Sequence, residues 1–210
     1  METGSMTLRE DERSTILTAD SKVTLEEGIG DSRVFRDLEY AFCLQHIRIG
    51  DRVLDIGTSQ PWFLLELMRR RCNMVTLDVD PGAMLRAYQV GVICVVASVT
   101  NLPFRAGFFS VVLCISTIEH VHGEGDVIGM REIRRVAQGA LLVLPFDESD
   151  NSLHEESGER RYDWSLIENR ILPGWRILRR AHISVWDPIL LKIGGWLSEE
   201  CLYLSREWPT

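Results

Sequence analysis

The chain has 210 residues, 45% of them hydrophobic and 26% charged, and its formal net charge at pH 7 is −8. Its length suits one domain with a sizeable core, and the acidic balance argues against a nucleic-acid substrate, which needs a basic surface. No uninterrupted apolar run is long enough to span a bilayer, and the first residues, METGSMTLREDER, lack the apolar core of a signal peptide. We therefore expect a cytoplasmic protein without a membrane span.

The predicted elements begin after a polar stretch. Residues 1–30 are polar except for one β-type run, Ser14 to Thr18, and we expect an N-terminal extension that is partly disordered or acts as a lid. From Val34 to Ile47 the apolar residues recur at helical spacing, and Gly50-Asp51 provides a stop-and-turn signal. The main domain is accordingly predicted to occupy residues 31–210.

Seven strand-like runs follow, and helical segments are predicted between the first five. Alternating strands and helices form a parallel sheet with right-handed crossovers and helices on both faces. The runs cover residues 52–56, 74–78, 92–97, 110–115, 139–145, 175–185 and 200–206. The sequence therefore predicts an α/β, Rossmann-like doubly wound fold.

The turn after the first of these strands points to a nucleotide-type ligand. The run ends in Asp55-Ile56-Gly57, and an amphipathic segment begins at Pro61, a residue that suits the first helical position. The second run ends in Asp78, where a carboxylate can accept hydrogen bonds from a ribose. With one glycine in the turn, neither the G-x-G-x-x-G of a dinucleotide fold nor a P-loop is present. Because the Asp55 carboxylate repels phosphate, an adenosyl ligand with a sulfonium and an amino acid is favoured over a pyrophosphate.

Four stretches in the same order resemble the motifs of class I S-adenosylmethionine-dependent methyltransferases. The run 52–63 resembles the family's V-L-D-x-G-x-G-x-G motif, and VTLDVDPGAML (75–85) resembles its ribose-binding strand end. ASVTNLPFRAGFFSVVLCISTIEHV (97–121) and REIRRVAQGALLVLPF (131–146) resemble the two blocks that follow. The resemblance implies a mostly parallel seven-stranded sheet with an antiparallel C-terminal strand. The fourth motif, I-S-T-I-E-H-V, is similar to that of small members linked to glycan or other secondary biosynthesis.

The resemblance also implies a binding site for S-adenosylmethionine at the carboxyl ends of the strands. The matching positions are Asp55, Gly57, Thr58, Ser59, Asp78, Val79, Ser98, Val99 and Ser116. Three positions depart from the family pattern: Ser59 and Pro61 replace the second and third glycines of the turn, and Ser98 replaces an acid that accepts the adenine amino group. An uncharged serine still accepts this bond, at a loss of about tenfold in affinity.

The block after the fourth strand supplies the candidate catalytic residue. His120, beside Glu119, is a general base suited to neutral pH, although a Glu-His pair at such a junction also caps and packs. The acidic segment after the fifth strand is predicted to be a loop over the site. Candidate substrate-binding residues are His122, His154, Arg161 and Tyr162. No metal site is expected, because Ser116 stands where relatives with a metal carry an acid and the cysteines show no C-x-x-C pairing.

These observations favour a methyltransferase that uses S-adenosylmethionine, releases S-adenosylhomocysteine and methylates a small-molecule or glycan-type acceptor. The acceptor itself and the oligomeric state are left open by the sequence. Two alternatives also stay open. A non-catalytic, methyltransferase-like binding module would explain the altered turn at Ser59 and Pro61 together with Ser98. A nicotinamide-dependent oxidoreductase would use Asp78 for its ribose, but the missing G-x-G-x-x-G argues against it.

Overall fold

The computed structural model of the chain describes residues 5–6, 21–25, 32–147, 153–154, 159–187 and 195–206. Side chains are described for residues 36–147, 159–184 and 198–206. This part of the chain builds one large sheet with helices packed on both faces. The α/β, doubly wound fold predicted from the sequence is confirmed.

The strands are β1 (Ser5–Met6), β2 (Ser21–Leu25), β3 (Arg52–Ile56), β4 (Asn73–Asp78), β5 (Ile93–Val96), β6 (Phe109–Ile115), β7 (Ala137–Pro145), β8 (Leu153–His154), β9 (Glu159–Arg160), β10 (Trp175–Asp187) and β11 (Gly195–Arg206). The helices are α1 (Ser32–His46), α2 (Pro61–Arg69), α3 (Pro81–Gln89), α4 (Gly125–Val136) and α5 (Trp164–Leu166). A 3-10 turn covers Ile118–His120, and a π-helical turn over Ile167–Ile171 continues α5. None of the helices described is long and apolar enough to cross a membrane.

The order of the strands brings the candidate site to one edge of the sheet. The large sheet runs β1-β2-β10-β11-β7-β6-β3-β4-β5. Strands β3 to β7 are parallel, whereas β11 is antiparallel to both of its neighbours, β7 and β10. Chain order reverses between β3 and β6, and open α/β sheets bind ligands at such a switch point, beyond the carboxyl ends of the strands. That edge carries Gly57, Asp78, Ser98 and Ser116.

Apolar layers on both faces hold this edge in place. One layer packs α1 and α2 on the sheet through residues such as Cys43, Phe63 and Leu67. The other packs α4 and the segment after β9 through residues such as Ile133 and Tyr162. Strand β3 is buried along its length after its first residue, as expected for a parallel strand that is covered on both sides.

All seven predicted strand runs form strands, with shifted ends. The helix predicted between the third and fourth of them is wrong, because residues 97–108 form turns. Pro103 has no N–H to donate in this stretch, and Gly107 adopts a φ of +64°. Residues 81–89 and 125–136, by contrast, form the helices that the alternating pattern indicates.

The N-terminal extension adds strands to the sheet, which the sequence did not indicate. Strand β2 pairs in parallel with β10, from Ser21 opposite Ala181 to Leu25 opposite Val185, and β1 pairs in parallel with β2. The C-terminal hairpin, β10 and β11, is therefore not the last strand pair on its side of the sheet, because β2 pairs with β10. The β-type run Ser14 to Thr18 lies outside the described residues.

Candidate functional site

The turn after β3 is held from beneath by Asp55. This residue is fully buried, and its Oδ2 accepts hydrogen bonds from the Ser59 amide and the Thr76 hydroxyl, both at 2.9 Å. Its Oδ1 accepts the Ser59 hydroxyl at 2.5 Å. Burial raises the pKa of the Asp55 carboxyl, and these hydrogen bonds oppose that rise. Asp55 thus orders the turn rather than presenting a free carboxylate to a ligand.

Ser59, which stands where the resembling family has a glycine, directs its side chain to Asp55. Its hydroxyl points to Asp55, and the residue is buried. Its neighbour Thr58 adopts a φ of +42°, and the Thr58 Oγ1 is a buried atom without a hydrogen-bond partner. An unsatisfied hydroxyl at the mouth of such a turn is a group that a bound ligand can pair.

Gly57 permits a contact between two loops that no other residue allows. Its φ is +89°, and a Cβ placed on it would lie 2.0 Å from the Thr117 Oγ1. Thr117 is fixed there because its hydroxyl bonds the carbonyl oxygens of Ile115 at 2.9 Å and Ile56 at 3.3 Å. The turn after β3 and the loop after β6 are therefore locked together at the switch point.

We expect Gly57→Ala to destabilise the protein more than Gly50→Ala. Both glycines have a similar φ, +89° and +83°, so alanine meets the same backbone strain at each. Only at position 57 does the new Cβ also collide with Thr117, and overpacking of this kind costs about 1–3 kcal/mol. Urea unfolding of the two variants measures the difference. Equal losses would show that Thr117 gives way freely and that the two loops are not locked.

Asp78 ends β4 with a carboxylate that helix capping does not require. Asp80 caps α3, since its side chain accepts the Gly82 amide at 2.8 Å and the Ala83 amide at 3.1 Å. The Asp78 Oδ1 accepts the Asp80 amide at 2.9 Å, and the side chain is half-buried. Asp80 therefore does the capping. Asp78 lies beside the Gly57 turn, because the carbonyl oxygen of the preceding Leu77 accepts the Gly57 amide at 2.8 Å.

The next two loops form the neighbouring part of the edge. Val79 is 67% exposed, whereas Val99 is buried in the core, so only the backbone of Val99 faces the edge. The Ser98 hydroxyl lies 2.8 Å from the Thr100 hydroxyl and accepts the Thr100 amide at 3.2 Å. Ser98 thus bonds within its own turn, and one lone pair at most is left for an adenine.

Helix α1 forms a wall on the other side of the Gly57 turn. The Tyr40 hydroxyl accepts the Gln60 amide at 3.1 Å, and its ring stacks on Phe63 with centroids 4.1 Å apart. One turn earlier, the Arg36 Nη1 donates to the Ser116 hydroxyl at 3.0 Å and to the Glu39 carboxylate at 2.6 Å. Ser116, another residue with positive φ, is therefore tied to α1.

The 3-10 turn after β6 inverts the roles expected of Glu119 and His120. His120 is 56% exposed, and its Nε2 lies 3.8 Å from the Glu119 Oε1. Glu119 is 2% exposed, and its Oε2 has no hydrogen-bond partner. Burial, together with the charges of Glu159 and Glu39, raises the pKa of Glu119 to about 8. Glu119 is thus an interior group that titrates near neutral pH, while His120 lies at the rim.

Arg36, Glu39 and Glu199 were missed by the sequence analysis. Glu39 is fully buried on α1, with its Oε1 unpartnered, and the Oε2 of Glu199 on β11 is also buried and unpartnered. Burial raises the pKa of both carboxyls, and each acts on the other. The sequence did contain a signal for Glu39, which shares a helical stripe with the apolar residues Cys43 and Ile47. An acid in such a stripe faces the core, and acids are rarely buried unless they have a partner.

Three of the four predicted substrate residues have described side chains, and these lie in different surroundings. His122 is exposed, and the side chain of His154 lies outside the described residues. The Arg161 Nη1 lies 3.7 Å from the Asp147 carboxylate. Tyr162 is fully buried, and its hydroxyl donates to the Asp126 Oδ2 at 3.2 Å, so it anchors its segment instead of offering a free hydroxyl. Within the described ranges, no three His, Cys, Asp or Glu side chains are grouped to hold a metal ion.

Comparison with known proteins agrees with this geometry. Residues 54–143, which carry the turn, the ribose-type strand end and the Ser116 loop, match the family described as methyltransferase domain. The part of the chain from β3 to β7 is therefore similar to a methyltransferase domain. Two uncharacterized methyltransferases of Mycobacterium sp., strains KMS and MCS, are each 35% identical to it over 99 residues. That match covers 46% of this chain and 39% of each relative, so the chain spans about two fifths of the curated relatives it matches.

Solved structures share the fold of this chain at low sequence identity. The [4+2]-cyclase SpnF superposes with a TM-score of 0.71 at 14% identity, over 88% of this chain and 85% of that one. A chain from the complex between the Haloferax volcanii Trm112 methyltransferase activator and a putative methyltransferase gives 0.65 at 14% identity, over 86% and 94%. A SAM-dependent methyltransferase of Methanosarcina mazei gives 0.62 at 13% identity, over 80% and 98%. At these identities the likeness establishes the fold alone.

Proposed function

We propose that this chain transfers the methyl group of S-adenosylmethionine to a small-molecule or glycan-type acceptor and leaves S-adenosylhomocysteine. When bound, the cofactor supplies an electrophilic methyl group on a sulfonium. The chain's own contribution is to hold both reactants in line and to keep water out. The acidic surface supports a small acceptor over a nucleic acid, because the net charge is −8.

The observation that carries this proposal is the Asp78 carboxylate beside the Gly57 turn. Asp80 already caps α3, so the chain places a second acid at the strand end that no helix needs. A carboxylate in this position accepts the two hydroxyls of a ribose through charge-assisted bonds. The unpartnered Thr58 hydroxyl adds a polar group on the same turn. These residues fit an adenosyl ligand.

The alternative of a non-catalytic binding module receives less support. It rests on Ser59, Pro61 and Ser98 as departures from the family pattern, but the Ser59 hydroxyl bonds the buried Asp55 and so helps to order the turn. SpnF, with the same fold, is named as a [4+2]-cyclase, so the fold alone does not decide the reaction. A binding test followed by a turnover test is therefore required.

Asp78→Ala is expected to abolish binding of S-adenosylmethionine and S-adenosylhomocysteine. In the wild-type protein, ligand at about a hundred times its dissociation constant adds about 2.7 kcal/mol, which raises Tm by roughly 5–10 °C. We expect this rise to vanish in Asp78→Ala. The matched control is Asp80→Ala, which loses the α3 cap at a cost of about 1 kcal/mol and keeps the ligand-dependent rise.

A wild-type protein whose Tm does not change in millimolar ligand would overturn the proposal and favour the binding module. A rise that survives Asp78→Ala would leave the cofactor on different residues. Release of S-adenosylhomocysteine in the presence of acceptor mixtures then measures turnover, and His120→Ala tests the base predicted from the sequence.

A cytoplasmic location belongs to the same proposal and is supported by five free cysteines, which persist in reducing compartments.

A further inference from the structure

A group of buried carboxylates lies beside the loop that carries Ser116. Glu39 comes from α1, Glu119 from the 3-10 turn after β6, and Glu199 from β11, where it pairs with Pro145 at the carboxyl end of β7. Arg36 links the group to the candidate site, because its guanidinium bonds both Glu39 and the Ser116 hydroxyl. We call Glu39, Glu119 and Glu199 the acidic pocket. It lies at the same sheet edge as the Gly57 turn.

Each member of the acidic pocket has a buried oxygen without a hydrogen-bond partner. These atoms are the Oε1 of Glu39, the Oε2 of Glu119 and the Oε2 of Glu199. Glu39 is fully buried and Glu119 is 2% exposed, so solvent does not satisfy them. A buried acceptor without a donor is costly, and the great majority of buried polar atoms in proteins are paired. Three such atoms on neighbouring elements point to a ligand that brings hydrogen-bond donors.

The charge in the pocket specifies the kind of donor. Arg36 is the cation that acts on all three carboxyls, and it is bonded to Glu39. Burial raises the pKa of each carboxyl, repulsion by Glu39 adds to the rise at Glu119 and Glu199, and repulsion by Glu119 adds to the rise at Glu199. A bound cation would offset both effects, whereas a neutral polyol would supply hydrogen bonds and leave the repulsion in place. An ammonium group provides both the charge and several N–H donors.

We propose that the acceptor is an amine, and that its protonated nitrogen binds in the acidic pocket formed by Glu39, Glu119 and Glu199. This inference rests on the proposed methyl transfer and names the acceptor class for it. The net charge of −8 favours the approach of a cation over that of an anion. The group of acids is not arranged as a metal site among the residues that the structure describes.

The chemistry balances with the groups present. The positive charge of the bound ammonium favours the ionised form of Glu119, whose own proton leaves to solvent. The ammonium then transfers one proton to this carboxylate, which leaves a neutral amine and a carboxylic acid. The nitrogen lone pair then forms the new N–C bond as the C–S bond of the sulfonium breaks, and the sulfur keeps the bonding electrons as a thioether. The products are a methylammonium and S-adenosylhomocysteine. Glu119 is suited to the proton transfer because its pKa lies near neutral pH.

The experiment compares amines with alcohols of the same shape on the protein saturated with S-adenosylhomocysteine. The three probe pairs are phenethylamine with 2-phenylethanol, 1,5-diaminopentane with 1,5-pentanediol, and glucosamine with glucose. Titration calorimetry is expected to show at least one amine binding about tenfold or more tightly than its alcohol. Glu119→Gln and Glu199→Gln keep the size of the side chains and are expected to remove this preference. Glu168→Gln, at an exposed position, is the control that keeps it.

Three outcomes would overturn the inference. Amines that bind no better than alcohols, or do not bind, exclude an ammonium site. An amine preference that persists in both variants places the cation elsewhere. A loss of S-adenosylhomocysteine affinity in both variants would assign the pocket to the amino group of the cofactor. The proposed function fails separately, since it requires that wild-type protein bind S-adenosylhomocysteine in the first titration, before any amine is added.

Discussion

Asp126→Asn is expected to lower the free energy of unfolding by about 3–5 kcal/mol, which corresponds to a fall in Tm of roughly 10 °C. Asp126 is fully buried at the start of α4. The Arg170 Nη2 donates to its Oδ1 at 2.6 Å and the Arg170 Nε to its Oδ2 at 2.8 Å, while Arg160 lies 3.3 Å away. Removing the charge leaves two guanidinium groups facing a neutral amide. Thermal and urea unfolding measure the loss.

The matched control is Glu124→Gln, because Glu124 also pairs with Arg170, at 3.0 Å, but is 71% exposed. An exposed pair contributes about 0–1 kcal/mol, so this variant should remain close to the wild type. Similar losses in the two variants would show that Asp126 does not anchor the segment. The anchor matters for the site. Arg160, Tyr162 and Arg170 all lie on the segment from β9 to the π-helical turn, and β9 packs on the 3-10 turn of Glu119.

The fold was predictable where each element is determined by its own residues. The run that ends at Ile56 is apolar and covered on both faces, and Pro61 fixes the start of α2. Strand β2 was not predictable, because Ser21–Leu25 is short and half polar, and it forms a strand where the outer side of β10 offers backbone partners. Pairing over such a distance in sequence leaves little local signal.

The candidate site was predictable where backbone geometry decides it and not where burial does. Gly57 and Asp78 lie at the edge as expected, since a tight turn and a strand end follow from local pattern. His120 was preferred over Glu119 because an unperturbed imidazole titrates near neutral pH. The structure buries Glu119 and exposes His120, and burial moves the carboxyl into that range instead. Which of two adjacent residues faces inward depends on the whole fold.

Raising the pH from 6 to 8 is expected to destabilise the wild-type protein, by roughly 2–3 kcal/mol from Glu119 alone. An unfolded glutamate has the ordinary pKa of 4.5, whereas the folded Glu119 has a pKa of about 8. Between these values the folded chain binds a proton that the unfolded chain does not. The free energy of unfolding therefore falls as the pH rises through this window. The contribution that the protonated Glu119 makes to it is fully present only below about pH 4.5.

Glu119→Gln should flatten this dependence by about 1.4 kcal/mol per pH unit, because glutamine does not titrate. The charged and titratable groups that act on position 119 include Glu159, Arg36, Glu39, Glu199, Tyr162, Cys114 and His120. Glu39 and Glu199 also have raised pKa values, so a smaller slope of the same sign should remain. Urea unfolding between about pH 5.5 and 8.5 measures the slopes, with Glu168→Gln as the exposed control. A slope unchanged in Glu119→Gln would mean that Glu119 is ionised throughout, and the acidic pocket would then need a permanent cation to be stable.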